Sequence, residues 1–242
     1  MNEQTGQNEQ STHKEHALST MIRRRILMTL FGTTLCAAAV AFFRCSLFGV
    51  DPFQCFAMGL WGKFSRIASY GTFYMILSFL FLAVDLILDR HYIGIATFIN
   101  LFLTGYIVSF SQSLLEKYLL PVLPHVAAAS GTEPGLTFLS RFLLLAIGLV
   151  VMCFASAFYM TADLGVSVYD AIPIYLAKKK NWQFRLVRIV ADSICVLIGT
   201  IAVLTGGSGG VLPGLGTILT AFCMGPLIDF FNRKVARPLL YR

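Results

Sequence analysis

Six stretches of the chain are apolar for about the length a helix needs to cross a bilayer, and no other feature narrows the possible folds as far. A helix rises ~1.5 Å per residue, so ~20 apolar residues cover a hydrocarbon core of ~30 Å. Residues 26–43, 67–88, 92–115, 142–162, 186–204 and 211–228 meet that length. The first, third, fourth and sixth carry no charge; the second contains Asp85, and the fifth contains Arg188 and Asp192. Only 13% of the residues are charged and 57% are hydrophobic, whereas soluble domains run near ~25% charged. There are too few polar side chains to cover a globular surface. The sequence therefore predicts an all-α polytopic membrane protein with about six transmembrane helices.

Residues 1–22 are the exception, being rich in Asn, Gln, Glu, Ser and Thr; a segment with so little to bury is expected to form a disordered cytoplasmic tail. Arg23, Arg24 and Arg25 precede a full-length apolar span rather than a short one ending in a cleavage site, so the first helix is expected to stay as an anchor. With the amino terminus in the cytoplasm, 14 of the 19 Lys and Arg residues fall on the inner side and 5 on the outer. That is the usual bias of basic residues toward cytoplasmic loops, and it predicts both termini inside. The net charge of +7 sits at the ends of apolar segments, where lipid headgroups rather than nucleic acid are the expected partner. Cys36, Cys153, Cys195 and Cys223 lie in apolar spans and read as small buried hydrophobes. Cys45 and Cys55 fall on the outer side, and the sequence leaves open whether they pair. No cysteine shows the paired spacing of a zinc site, and no metal or cofactor is expected.

The chain also repeats. A shift of 116 positions gives eight identities in 26 positions, among them Arg25 with Arg141, Gly32 with Gly148, Phe42 with Phe158 and Gly49 with Gly165. A shift of 120 pairs Gly94 with Gly214, Thr97 with Thr217, Phe102 with Phe222, Gly105 with Gly225 and Phe110 with Phe230. Residues 23–118 and 141–231 are thus expected as two membrane repeats, joined by an outer loop at 119–140 and followed by a cytoplasmic tail at 232–242. Three spans in each repeat is an odd number, so the second repeat enters the membrane inverted. Inverted repeats are common in secondary transporters, with the binding site between them.

After the first span of each repeat comes a glycine-containing break, Leu47 to Phe53 in one and Asp163 to Asp170 in the other. Glycine permits the turn, Pro52 withholds a donor, and Asp51, Ser167 or Asp170 can cap the helix that follows. The short segments 53–61 and 169–177 are read either as re-entrant half-helices aiming positive amino ends at a ligand or as interfacial helices along the surface. Gly94 to Thr97 and Gly214 to Thr217 open the last span of each repeat, with Asn100 and Thr220 one turn later; small residues there allow close helix packing, and Thr97, Asn100 and Thr217 can instead contact a solute. Arg188 and Asp192 lie one turn apart at membrane depth, spaced for an ion pair or for a solute site. The candidate substrate-binding residues are Asp51, Thr97, Asn100, Ser167, Asp170, Arg188, Asp192 and Thr217. Asp85, Asp163 and Asp229 are expected to reach water at inner helix ends, and Arg44 to meet headgroups or line an outward entrance. No nucleophile and base arrangement emerges, so no enzyme is expected.

The Gly-Val-Asp-Pro-Phe and Gly-Val-Ser-Val-Tyr-Asp breaks, together with the Gly-x-x-Thr helices that run to Gly105 and Gly225, resemble the bacterial YczE/YyaS/YitT-type membrane proteins, particularly the YczE branch. The resemblance covers residues 24–231 and implies a multi-pass protein of a bacterial cytoplasmic membrane, without naming a substrate. The leading functional expectation is a permease for a small solute bound between the repeats. Two alternatives stand beside it: the substrate-binding subunit of an energy-coupling factor importer, with Ala37 and Ala41 packing on the partner, and an accessory protein acting by contact through the outer loop. A homodimer is compatible with either.

Overall fold

The computed structural model describes residues 2–67, 70–125, 136–205 and 213–241, with side chains described from residue 19. Among these residues the regular structure is helical, with one isolated bridge between His125 and Leu136. The main helices are α1 (Asn2–Ser46), α2 (Pro52–Phe64), α3 (Tyr70–Leu88), α4 (Ile95–Leu114), α5 (Phe138–Ala162), α6 (Ala171–Lys180), α7 (Phe184–Leu204), α8 (Leu215–Phe231) and α9 (Arg237–Leu240). Four segments are long and apolar enough to cross a membrane: Ser19–Ser46, Phe138–Ala162, Phe184–Leu204 and Leu215–Leu240. A fifth is reached if Ala96–Thr104 and Tyr106–Val122, bent by 57°, count as one span. The apolar part of α3, Thr72–Leu88, is shorter, so the described residues give four or five spans where the sequence predicts about six. The polar residues expected as a loose tail continue α1 toward its amino terminus, since extending an existing helix is far easier than nucleating one. The middle of the outer loop, 126–135, and the start of the sixth apolar stretch, 211–212, lie outside the described residues.

Helices α1 and α5 cross at the centre through small residues. A Cβ on Gly32 would meet the Ala155 carbonyl oxygen at 2.9 Å, and one on Gly148 would meet Phe42 Cβ at 2.9 Å. Ala37, Ala39, Ala41, Ala155 and Ala157 around them are at most 2% exposed. Ala37 and Ala41 are therefore taken up inside the chain and do not form a face for a coupling subunit. Leucine, isoleucine and phenylalanine point outward from the long helices instead, as with Phe31, Ile147, Ile201 and Phe222.

The two breaks are built alike. Leu47 and Asp163, separated by the 116-residue shift, both adopt left-handed backbone (φ 55° and 57°), and Gly49 and Gly165 follow at φ 119° and 99°. These conformations turn the chain back toward the protein's interior after α1 and α5. Each break then docks on the helix that opens with Gly-x-x-Thr in the other half. Gly216 N–H donates to the Phe48 carbonyl (2.9 Å), and the Thr217 hydroxyl donates to the Val50 carbonyl (2.7 Å). The matching pair is Ala96 N–H to Leu164 (3.2 Å) and the Thr97 hydroxyl to Val166 (2.7 Å). The glycines make this approach possible: a Cβ on Gly214 would lie 1.9 Å from the Phe48 oxygen, and one on Gly94 2.2 Å from the Leu164 oxygen.

Gly94→Ala and Gly214→Ala are each expected to destabilise the protein by at least the ~1–3 kcal/mol typical of overpacking, to similar extents, because the two docks are equivalent. Thermal unfolding of the detergent-purified variants measures this; an unchanged melting temperature in either would contradict the docked geometry.

Candidate functional site

The amino ends of α2 and α6 meet inside the molecule. Phe53 and Tyr169, related by the same shift, stack with ring centroids 4.8 Å apart and planes inclined at 19°. Close to this point, Cys36 on α1 touches Met152 on α5, sulfur to sulfur at 3.0 Å. Asp51 caps α2 by accepting the Gln54 N–H at 3.1 Å, with Pro52 beginning the helix. At the start of α6 the chain turns on Ser167, whose carbonyl accepts the N–H groups of Asp170 and Ala171.

One guanidinium holds the second half's side of this junction together. Arg188 on α7 donates from Nε to Asp192 Oδ2 (3.1 Å) and from a terminal nitrogen to Asp170 Oδ1. Each carboxylate also accepts a tyrosine hydroxyl, Asp170 from Tyr159 and Asp192 from Tyr169 (2.5 Å). Arg188 further lies over the Tyr169 ring, 4.7 Å from its centroid. Arg188, Asp170 and Asp192 are 5%, 4% and 0% exposed. Charges so deep are tolerated only when paired and hydrogen-bonded on most of their polar atoms, as these are. Gly225 lets α8 pass close to this part of α7, since a Cβ there would meet the Arg185 carbonyl oxygen at 2.8 Å.

A cavity of about 110 Å³ lies beside the network, walled by residues of α1, α2, α3, α4, α5, α7 and α8 and by the second break. Of the sequence-derived candidates, it is lined by Asp51, Thr97, Asn100, Ser167, Asp170 and Arg188. Asp192 sits behind Arg188, and Thr217 is fully buried in the opposite dock, bonded to Val50. Sequence reasoning passed over Gln54, Tyr74, Ser78, Thr104, Ser156, Tyr159 and Tyr169, which also line the cavity. Two of them were within reach of the 116-residue shift, because Gln54 corresponds to Asp170, and Tyr159 corresponds to Phe43. Gln54 Oε1 and Asn100 Nδ2 are shielded from solvent and have no hydrogen-bond partner among the described residues.

A larger hollow of about 390 Å³ shares Gln54, Tyr74, Asn100, Leu101 and Thr104 with this cavity and continues to Arg44, Tyr106 and Ser109. Arg44 thus stands along an opening between α3 and α4. Asp85, expected to reach water, is instead 2% exposed with Oδ1 unpartnered among the described residues; the chain turns at Asp89 to Tyr92 and packs back against α3. Asp163 pairs with His91 and Asp229 with Arg233 at the surface. All six cysteines are free.

Residues 23–233 match a family described as one of unknown function, DUF6198. An uncharacterized protein of Haemophilus influenzae is 29% identical over 104 residues, 43% of this chain and 44% of that protein, so this match spans less than half of the relative's length. The uncharacterized membrane protein YczE of Bacillus subtilis is 24% identical over 182 residues, covering 75% of this chain and 73% of YczE. No solved structure matches.

Replacing Arg188 with Met leaves two carboxylates buried without their cation and is expected to cost ~3–5 kcal/mol. The triple variant Arg188→Met, Asp170→Asn, Asp192→Asn removes the uncompensated charge and is expected to recover much of that loss. Melting temperatures of the two proteins decide it, and a triple variant no more stable than Arg188→Met would show that the network is not held by charge.

Proposed function

The chain belongs to the DUF6198 family of unknown function, and we propose that it is a multi-pass permease of a bacterial cytoplasmic membrane, binding a small polar solute between two inverted repeats. The observation that carries this reading is the pair of unpartnered groups, Gln54 Oε1 and Asn100 Nδ2, facing one cavity where two short helices meet. A buried acceptor and donor left without partners cost ~1–3 kcal/mol each, and a bound solute that supplies both partners removes that cost. Three carboxylates, Asp51, Asp170 and Asp192, stand near the cavity against the single guanidinium of Arg188. The charge balance favours a solute bearing positive charge or several N–H donors over an anion, even though two helix amino ends point there.

The equivalence of the two docks supports the inverted repeat, because each half lends its break to the other half's last span. In this reading α2 and α6 are re-entrant half-helices whose amino ends meet near the bilayer midplane. The opening past Tyr74 and Asn100 to Arg44 is the outer access route. The opposite end of the protein carries Lys178 and Arg237 around one hollow, and Met28 packs on Ala236 and Leu240, bringing the two basic terminal segments together. Basic residues gathered at one end support both termini being cytoplasmic.

Asn100→Leu is expected to raise thermal stability by about 1 kcal/mol, because it removes an unsatisfied buried donor, and to abolish any stabilisation by solute. Screening the purified protein for thermal shifts with small amines, amino acids, inorganic cations and anions supplies the measurement. A shift with cationic solutes that disappears in Asn100→Leu supports the permease; a flat response across the panel in the wild-type protein overturns it.

A further inference from the structure

A further hollow, apolar and of about 700 Å³, lies in the angle between α6 and α7, with Phe56 of α2, Phe81 of α3 and the junction residue Tyr169 at its edge. Its walls include Pro173, Leu176, Leu186, Val190, Ile194 and Ile198. From Leu186 to Ile198, twelve residues along α7 at ~1.5 Å each make it about 18 Å long, close to the ~15 Å half-thickness of a bilayer core. Its existence follows from an unequal pairing. On its other side α7 is pressed against α2, where a Cβ on Gly59 would meet the Gly199 carbonyl oxygen at 2.4 Å. The position in α6 that corresponds to Gly59 is Tyr175, and α3 has no glycine beyond Gly71. Helices α3 and α6 cannot close in the same way, and apolar wall is left uncovered.

The mouth of the groove differs from its walls. Asn181, Trp182 and Gln183 line it, and Lys180, one turn after the groove-lining Leu176, and Arg185 are exposed beside them. Arg185 is held there by the Gln183 side chain at 2.8 Å, whereas Lys178 and Lys179 lie over the rings of Tyr92 and Tyr175, which are outside the groove. The acidic groups at this end, Asp163 and Asp229, are engaged by His91 and Arg233. Two cations and an indole at the end of a carbon-lined groove of one-leaflet length complement a single chemistry. We propose that the groove between α6 and α7 holds an acyl chain of an anionic phospholipid, whose headgroup is bound by Lys180 and Arg185. The groove meets the solute cavity only at Tyr169, which lines both. The acyl chain fills the space that α3 leaves open and steadies α7, the helix that carries Arg188 and Asp192.

Native mass spectrometry and thermal unfolding of the full chain in neutral detergent test this, with phosphatidylglycerol or phosphatidylcholine of identical chains added. The expected result is one phosphatidylglycerol retained per protein, at roughly tenfold or greater preference over phosphatidylcholine, with a higher melting temperature. The surface variant Lys180→Gln, Arg185→Gln is expected to lose the preference while keeping its fold by circular dichroism. Ile194→Trp, which fills the groove, is expected to lose both lipids. Equal retention of the two lipids by wild-type protein overturns the proposal. So does a dimer that dissociates in Ile194→Trp, since a second copy of the chain would then be the occupant.

Discussion

Backbone carbonyls exposed by a broken helix have no water to turn to inside a bilayer, and the arrangement of this protein depends on how that need is met. Helices α1 and α5 both end in a left-handed residue and a glycine, freeing the carbonyls of Phe48, Val50, Leu164 and Val166. Each set is taken up by a helix amino end and a threonine hydroxyl from the other half of the chain. Once those reciprocal bonds form, α2 and α6 can only run outward from a shared centre, and the cavity is the space between their beginnings. The glycines at 49, 94, 165 and 214 matter because the docks are made backbone to backbone, at distances that no Cβ would allow.

The two breaks agree in backbone and differ in chemistry. Phe43 and Phe53 around the first break correspond to Tyr159 and Tyr169 around the second, and Gln54 corresponds to Asp170. Adding two hydroxyls and exchanging an amide for a carboxylate turns one side of the junction into an ion network around Arg188, while the other side stays aromatic and amide-lined. The network side is held by charge-assisted bonds between α5, α6 and α7. The other side contains the unpartnered amide atoms and the opening toward Arg44. A binding cavity with one rigid wall and one adaptable wall suits the proposed permease, in which one half must move against the other.

Much of this was legible before any coordinates. Span length and composition identified a helical membrane protein, and self-comparison located both breaks and both Gly-x-x-Thr helices. Six of the eight candidate residues line one cavity because those candidates were drawn from the breaks and from intramembrane charges, which are the positions where polar groups in lipid have to find partners. Gln54, Tyr74 and Tyr159 were not found, since single polar residues in apolar helices carry no pattern until a neighbouring helix shows which face is inward. Asp85 was misread for a related reason: its distance from the helix end suggested access to water, but neighbouring side chains leave it only 2% exposed. The role of Thr97 and Thr217 was open between packing and solute contact, and their bonds to Val166 and Val50 answer to a need that appears only once the breaks are placed.

The sequence by itself determined that the chain lives in lipid and where its helices break, because these are set by local composition and by the conformational freedom of glycine. Only the tertiary structure decided that Arg188 bridges Asp170 and Asp192, that Gln54 and Asn100 share a cavity, and that α7 closes on α2 while α6 stays open. Those outcomes depend on which helix faces meet across more than a hundred residues of chain, and neither helical period nor hydropathy specifies that.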